Sequence, residues 1–200
     1  MKDKIKNAFK ESIALKEAFI NTNSEKIAYL VELILDTLKK GGKILLFGNG
    51  GSAADAQHIA AEFVNRFKRD RDPLPVLALT VDTSVLTSIA NDYDFSLVFL
   101  KQIKALGKPG DVAWGISTSG KSINVNLALE EAKKMGLKTV ALSGGTGGKM
   151  AEIADLALIV NSKNTPRIQE VHITIGHVVC ELVEEMFFSL ASTRENDKNN

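Results

Sequence analysis

Apolar positions recur along this chain in two rhythms. Residues 4–20 place Ile5, Phe9, Ile13 and Phe19 among lysines and glutamates, the spacing of an amphipathic helix. Thr22 with Glu25 has the form of a capping box and predicts a second helix. Ile27, Leu30, Val31, Ile34, Leu35 and Leu38 supply its apolar stripe, and Gly41-Gly42 ends it. From residue 43 onward, short apolar runs alternate with helical patterns. Strands are predicted at 43–47, 75–79, 111–116, 138–142 and 156–160. Helices are predicted at 52–67, 83–91, 94–106 and 122–135, with a short one before the fifth strand. A turn is expected at Asn91-Asp92. A long helix starts near Thr165-Pro166, where proline suits a first turn, and carries Ile168, Val171, Ile175, Val178, Val179, Leu182 and Met186. From Ser192 the chain is polar without pattern, which predicts a frayed tail.

Five strands separated by helices predict an α/β fold: a three-layer, doubly wound, five-stranded parallel sheet with an N-terminal helical extension. The sequence does not show the strand order. In the flavodoxin-like order 2-1-3-4-5 the loops after strands one and three diverge at a switch point and share one crevice. No linker or internal repeat interrupts the pattern, so residues 1–200 read as one domain. Two helices before the first strand exceed what one sheet needs for cover. Residues 1–40 are therefore expected in a subunit interface. Residues 68–73, a run of charges ending in proline, read as a solvated connector.

Composition narrows the function classes. The net charge is +1, from 25 basic and 24 acidic residues, which argues against a nucleic-acid or anionic-membrane surface. The single cysteine, Cys180, permits no internal disulfide and suits a reducing cytoplasm. The first residues are charged, without the apolar block of a signal peptide. No apolar run approaches the roughly 20 residues of a membrane helix.

Chemistry gathers after the strands. Gly48-Asn49-Gly50-Gly51-Ser52 follows the first strand and opens a helix, with Ser52 as a candidate cap. Free N–H groups at the positive end of a helix suit an anion. Ser117, Thr118, Ser119 and Ser122 put four hydroxyls after strand three, where a phosphate monoester would find donors; an ordinary Ser/Thr-rich turn is the plainer reading. A dinucleotide site fits poorly, because no acidic residue ends strand two. His58 and Glu62 lie four apart on one helix face, a spacing also common in solvated pairs. His177 lies in an apolar stripe and can equally be a buried structural side chain, and His172 points elsewhere.

Three motifs carry a resemblance: Gly48-Asn49-Gly50-Gly51-Ser52 with Asp55-Ala56-Gln57-His58, Gly115-Ile116-Ser117-Thr118-Ser119-Gly120, and Arg167-Ile168-Gln169-Glu170-Val171-His172. Together they resemble the phosphoheptose isomerases, which are sugar-isomerase (SIS) domain proteins. The resemblance implies interconversion of sedoheptulose 7-phosphate and glycero-manno-heptose 7-phosphate. That reaction opens the ADP-heptose route to the lipopolysaccharide inner core. It further implies that Asn49, Gly50, Gly51, Ser52, Asn91 and Asp92 line the substrate site, and that Ser117, Thr118, Ser119 and Ser122 hold the phosphate. Glu62 would be the general base and His177 the general acid. His58, Glu62, Gln169 and His177 match positions that hold one zinc ion per subunit in some members. Homotetramers with active sites at subunit interfaces are implied as well. Helical geometry alone would put Glu170 nearer than Gln169 to the stripe of His177; only the motif selects Gln169.

Aldose–ketose isomerisation needs a base that carries a proton between adjacent carbons and a donor for the enediol oxygens. A carboxylate and an imidazole serve, and zinc would polarise the oxygens. Glu62 cannot easily be both free base and metal ligand, and the sequence leaves this open. The alternative is a DnaA-initiator-associating protein, which shares the glycine loop, the hydroxyl loop and the Arg-Ile-Gln-Glu motif but lacks equivalents of Glu62 and His177. This chain has both. It departs from the commoner isomerase pattern at Lys121, where Asn is frequent, and at Pro166. A sugar-phosphate-sensing regulator would carry a DNA-binding module, for which the chain has no room.

Overall fold

The computed structural model describes residues 1–196, with side chains described as far as Ser189. Five parallel strands form one sheet: β1 (Ile44–Gly48), β2 (Val76–Ala78), β3 (Val112–Ser117), β4 (Lys138–Gly144) and β5 (Leu156–Val160). Their order is β2-β1-β3-β4-β5, the doubly wound order expected from the sequence. Strand edges differ from the expectation by one or two residues, the usual uncertainty of terminal pairing.

The burial pattern explains the strands. Every residue of β1 and β3 is buried. Their side chains alternate between faces with period two. Ile44, Leu46, Trp114 and Ile116 enter one core with α1 (Lys2–Lys39), α2 (Gly51–Val64) and α7 (Thr165–Asn196). Leu45, Phe47 and Ala113 enter the other, with α4 (Val98–Leu106) and α5 (Ile123–Lys134). Fully burying one such large side chain contributes about 1.5–3 kcal/mol, so these two strands fix the frame. The helices α3 (Thr83–Asp92) and α6 (Gly148–Ile153) complete the layers. A single 3₁₀ turn, Phe95–Leu97, precedes α4 where one helix was expected.

Three expectations are corrected. The two leading helices are one, α1, unbroken over 38 residues. No glycine or proline occurs between residues 2 and 39 to stop it. Within it Asn23 Nδ2 donates to Phe19 O at 3.0 Å, a back-bond inside a continuing helix rather than a cap. Asn91 and Asp92 belong to the last turn of α3 rather than to a separate turn. Residues 68–73 are not wholly solvated, since the Arg71 side chain is only 3% exposed. The tail expected to fray from Ser192 falls at the end of the description: α7 extends to Asn196, and residues 197–200 lie outside the described residues.

The register carries the fold to the site. Gly48 pairs with Ile116, so the loops after β1 and β3 leave the sheet side by side. Their helices then run to different faces, which opens a crevice at this edge.

Candidate active site

The loop after β1 is built by glycine. Gly50 has φ 55° and occupies the N-cap of α2, with no side chain capping it. Ser52 is therefore not the cap. It lies inside the first turn, 3% exposed, and packs beside Gly48. Gly51 matters for closeness: a Cβ there would collide with the Gln169 amide. Gln169 of α7 thus faces the glycine loop, while Glu170 turns away to pair with Arg167 at 2.7 Å.

Asn49 joins the two loops across the crevice. Its Nδ2 donates to Asn124 Oδ1 at 2.9 Å, and Asn124 Nδ2 donates back to Asn49 Oδ1 at 2.8 Å. Asn124, in the first turn of α5, was missed by sequence reasoning. Its only sequence signal was a polar residue two places after Ser122. In the hydroxyl loop, Ser117 and Ser122 Oγ atoms stand 2.9 Å apart, and Ser119 Oγ accepts from Lys121 N at 3.2 Å. Thr118, Ser119 and Lys121 line a cavity of about 640 Å³ that runs toward the ends of β4 and β5 and the start of α7.

The helix launched by the glycine loop carries the titratable groups. His58 Nε2 lies 3.2 Å from Glu62 Oε1 and 3.0 Å from His177 Nε2 of α7. The Phe67 ring packs on His177 with centroids 5.8 Å apart. Glu62 is 25% and His58 50% exposed at the side chain, so the cluster is open to an incoming ligand. One turn before His58, Asp55 holds a buried Oδ2 without a hydrogen-bond partner. Burial pushes its carboxyl up to about 6, against the pull of His58. His172 is elsewhere: it is fully buried, and its Nε2 donates to Ser143 O at 3.1 Å. Burial lowers its pKa to about 4, so it stays neutral.

One doubly wound sheet thus carries both a cavity lined by Thr118, Ser119 and Lys121 and a carboxylate–imidazole cluster on α2 and α7. A family model described as SIS domain matches residues 9–144. A phosphoheptose isomerase of Thermodesulfovibrio yellowstonii is 54% identical over 198 residues, 99% of this chain and 98% of that one. The chain belongs to the phosphoheptose isomerase family. Another member, from Aquifex aeolicus, is 55% identical over 186 residues, covering 93% and 97% of the two chains. The solved phosphoheptose isomerase of Neisseria gonorrhoeae superposes with TM-score 0.87 at 44% identity, covering 92% of this chain and 98% of that one. Phosphoheptose isomerases are sugar-phosphate isomerases, and the DnaA-initiator-associating alternative finds no support among these relatives.

Within this family frame, the structure brings together some of the residues singled out from sequence and leaves others apart. His58 meets both Glu62 and His177, and Gln169 meets Gly51. Asn91 and Asp92 do not join them. Both are exposed at the end of α3, where Asn91 Nδ2 donates to Asp92 Oδ1 at 2.9 Å. Among the described residues, no group of three or more His, Cys, Asp or Glu is spaced as a metal cage. The donors present are nonetheless of the kind zinc takes, two imidazole nitrogens and a carboxylate oxygen converging around His58 Nε2.

Proposed function

We propose that this enzyme interconverts sedoheptulose 7-phosphate and D-glycero-D-manno-heptose 7-phosphate, with Glu62 as base and His177 as acid. The observation that carries the reading is the placing of Glu62 and His177, from α2 and α7, on either side of His58.

The chemistry follows from those groups. Glu62 takes a proton from C1 of the open-chain ketose, and the electron pair forms the C1–C2 double bond. The carbonyl oxygen on C2 takes a proton from His177. Glu62 then returns its proton to C2, the oxygen on C1 gives its proton to His177, and an aldehyde remains. Protons and electrons balance, and both side chains are restored. Ser117, Thr118, Ser119 and Ser122 hold the phosphate through hydroxyl and helix N–H donors. Asn49, Gly50, Gly51, Ser52 and Gln169 border the sugar. Asn91 and Asp92 stand apart within one chain, which suits a pocket completed by a second subunit.

His58 and Gln169 would hold a zinc ion, joined by Glu62 and His177 only while these two are not transferring protons. The facing Nε2 atoms of His58 and His177 suit this, since without a shared cation one of them must carry the proton between them. When bound, zinc would polarise the oxygens on C1 and C2. A tetramer suits the exposed apolar positions of α1: Ile5, Phe9, Ile13 and Ile20 are 53%, 69%, 56% and 44% exposed. The cytoplasm and the ADP-heptose route are the setting this substrate implies.

Incubating purified protein with sedoheptulose 7-phosphate and following the aldose by chromatography tests the reading. Aldose should accumulate to equilibrium. No turnover with zinc supplied, together with capture of a replication initiator, would reverse it.

A further inference from the structure

A buried ion pair outside the site touches Glu62 directly and reaches His177 through Phe67. Arg71 lies in the charged segment after α2, Glu184 lies on α7, and both side chains are 3% exposed. Glu184 accepts four hydrogen bonds. Its Oε2 takes Phe67 N at 2.8 Å and Arg71 Nε at 3.2 Å, and its Oε1 takes Lys68 N at 2.9 Å and Arg69 N at 2.7 Å. Arg71 spends its other nitrogens on the end of α2. Nη2 donates to Glu62 O at 2.9 Å and Nη1 to Phe63 O at 2.6 Å.

Those carbonyls lie in the last turn of α2, where backbone acceptors lose their helical partners. A guanidinium there satisfies two acceptors with one rigid fork and complements the helix dipole. Burial pushes the Glu184 carboxyl up, but the backbone N–H groups of Phe67, Lys68 and Arg69 and the Arg71 charge outweigh it and hold it below the ordinary carboxylate range. The pair is thus ionised and fully engaged.

Stability alone does not account for this arrangement. Apolar residues of similar volume often serve a fold as well as a buried ion pair does, or better. What an apolar pair would not do is fix particular backbone atoms. Here the fixed atoms are the carbonyl of Glu62 itself and the N–H of Phe67, whose ring packs on His177.

We propose that Arg71 and Glu184 are positioning residues for the isomerase: Arg71 sets Glu62 through its backbone, and Glu184 sets His177 through Phe67. This rests on the reading of Glu62 and His177 as base and acid. The pair spans the gap between α2 and α7, so it sets the distance between the two groups that exchange protons with adjacent atoms of one substrate. Errors of this kind cost turnover rather than binding, because only the transition state needs both groups at once.

The test uses the full chain and steady-state kinetics with sedoheptulose 7-phosphate. Arg71→Lys keeps the charge but cannot span both carbonyls. Phe67→Leu keeps the apolar contact but removes the ring. Arg71→Lys should lose about 100-fold in kcat and Phe67→Leu about tenfold, with KM within about twofold. Both should remain folded by circular dichroism at the assay temperature. Millimolar ethylguanidinium should restore part of kcat to Arg71→Ala and none to Phe67→Leu. Wild-type kcat in folded Arg71→Lys and Phe67→Leu, beside inactive Glu62→Gln and His177→Gln, would overturn the positioning role alone. A loss that merely tracks the unfolded fraction would overturn it too. Active Glu62→Gln and His177→Gln would overturn the acid–base reading and this role with it.

Discussion

His58 Nε2 and His177 Nε2 face each other at 3.0 Å although 119 residues separate them in sequence. Two lone pairs cannot share that approach, so in this arrangement a proton lies between them. With Glu62 Oε1 3.2 Å from the same His58 nitrogen, the donors suit zinc. A strong chelator should therefore lower turnover at least tenfold, and added zinc should restore it. An unchanged rate after verified metal removal would take zinc out of the mechanism.

Gly51 leaves no room for a side chain. Gly51→Ala should displace the Gln169 amide that its Cβ would strike. The helix itself should tolerate alanine, which is the better helix former. The expected outcome is an intact melting temperature with kcat/KM lowered by about 10–100-fold. Wild-type kinetics in the folded variant would remove Gln169 from the substrate site.

His172 gives the fold an acid-sensitive element. Its pKa falls from 6.5 to about 4 on burial, and the side chain is fully buried. Above pH 6.5 the imidazole is neutral in both states and contributes no pH dependence. As the pH falls from 6.5 toward 4, the unfolded chain takes up a proton that the folded chain refuses. Stability then drops by up to about 1.4 kcal/mol per pH unit, and by about 3 kcal/mol in all. Urea unfolding of wild type and His172→Gln at pH 7 and pH 5 measures this. The variant should lose less stability over that interval; parallel losses would assign the acid sensitivity elsewhere.

The proposed tetramer would cover the apolar positions of α1. Phe9 and Ile13 are 69% and 56% exposed in the isolated chain. Light scattering at micromolar concentration should give a multiple of the chain mass for wild type. Phe9→Glu with Ile13→Glu should reduce it. A monomeric wild type would remove the tetramer from the account.

The sheet was legible because its strands are short, apolar and buried on both faces, as in Ile44–Gly48. The break expected in α1 was not real, because Thr22 and Glu25 match a capping pattern that tertiary packing overrode. Ser52 likewise matched a cap, but Gly50 takes that place through its positive φ. The site was only partly legible. His58 and Glu62 share a face by local periodicity, whereas their meeting with His177 depends on how α2 and α7 pack. Only the family resemblance linked them. Arg71 was hidden in a run of charges that normally faces solvent, and Glu184 in the polar spacing of a long helix. Their pairing across 113 residues has no local signal.

Glu62→Gln and His177→Gln bear most directly on the central claim. Turnover of sedoheptulose 7-phosphate should fall by at least about 1,000-fold in each, while circular dichroism and melting temperature stay close to wild type. Wild-type turnover in either variant would contradict the assignment of these two residues as base and acid.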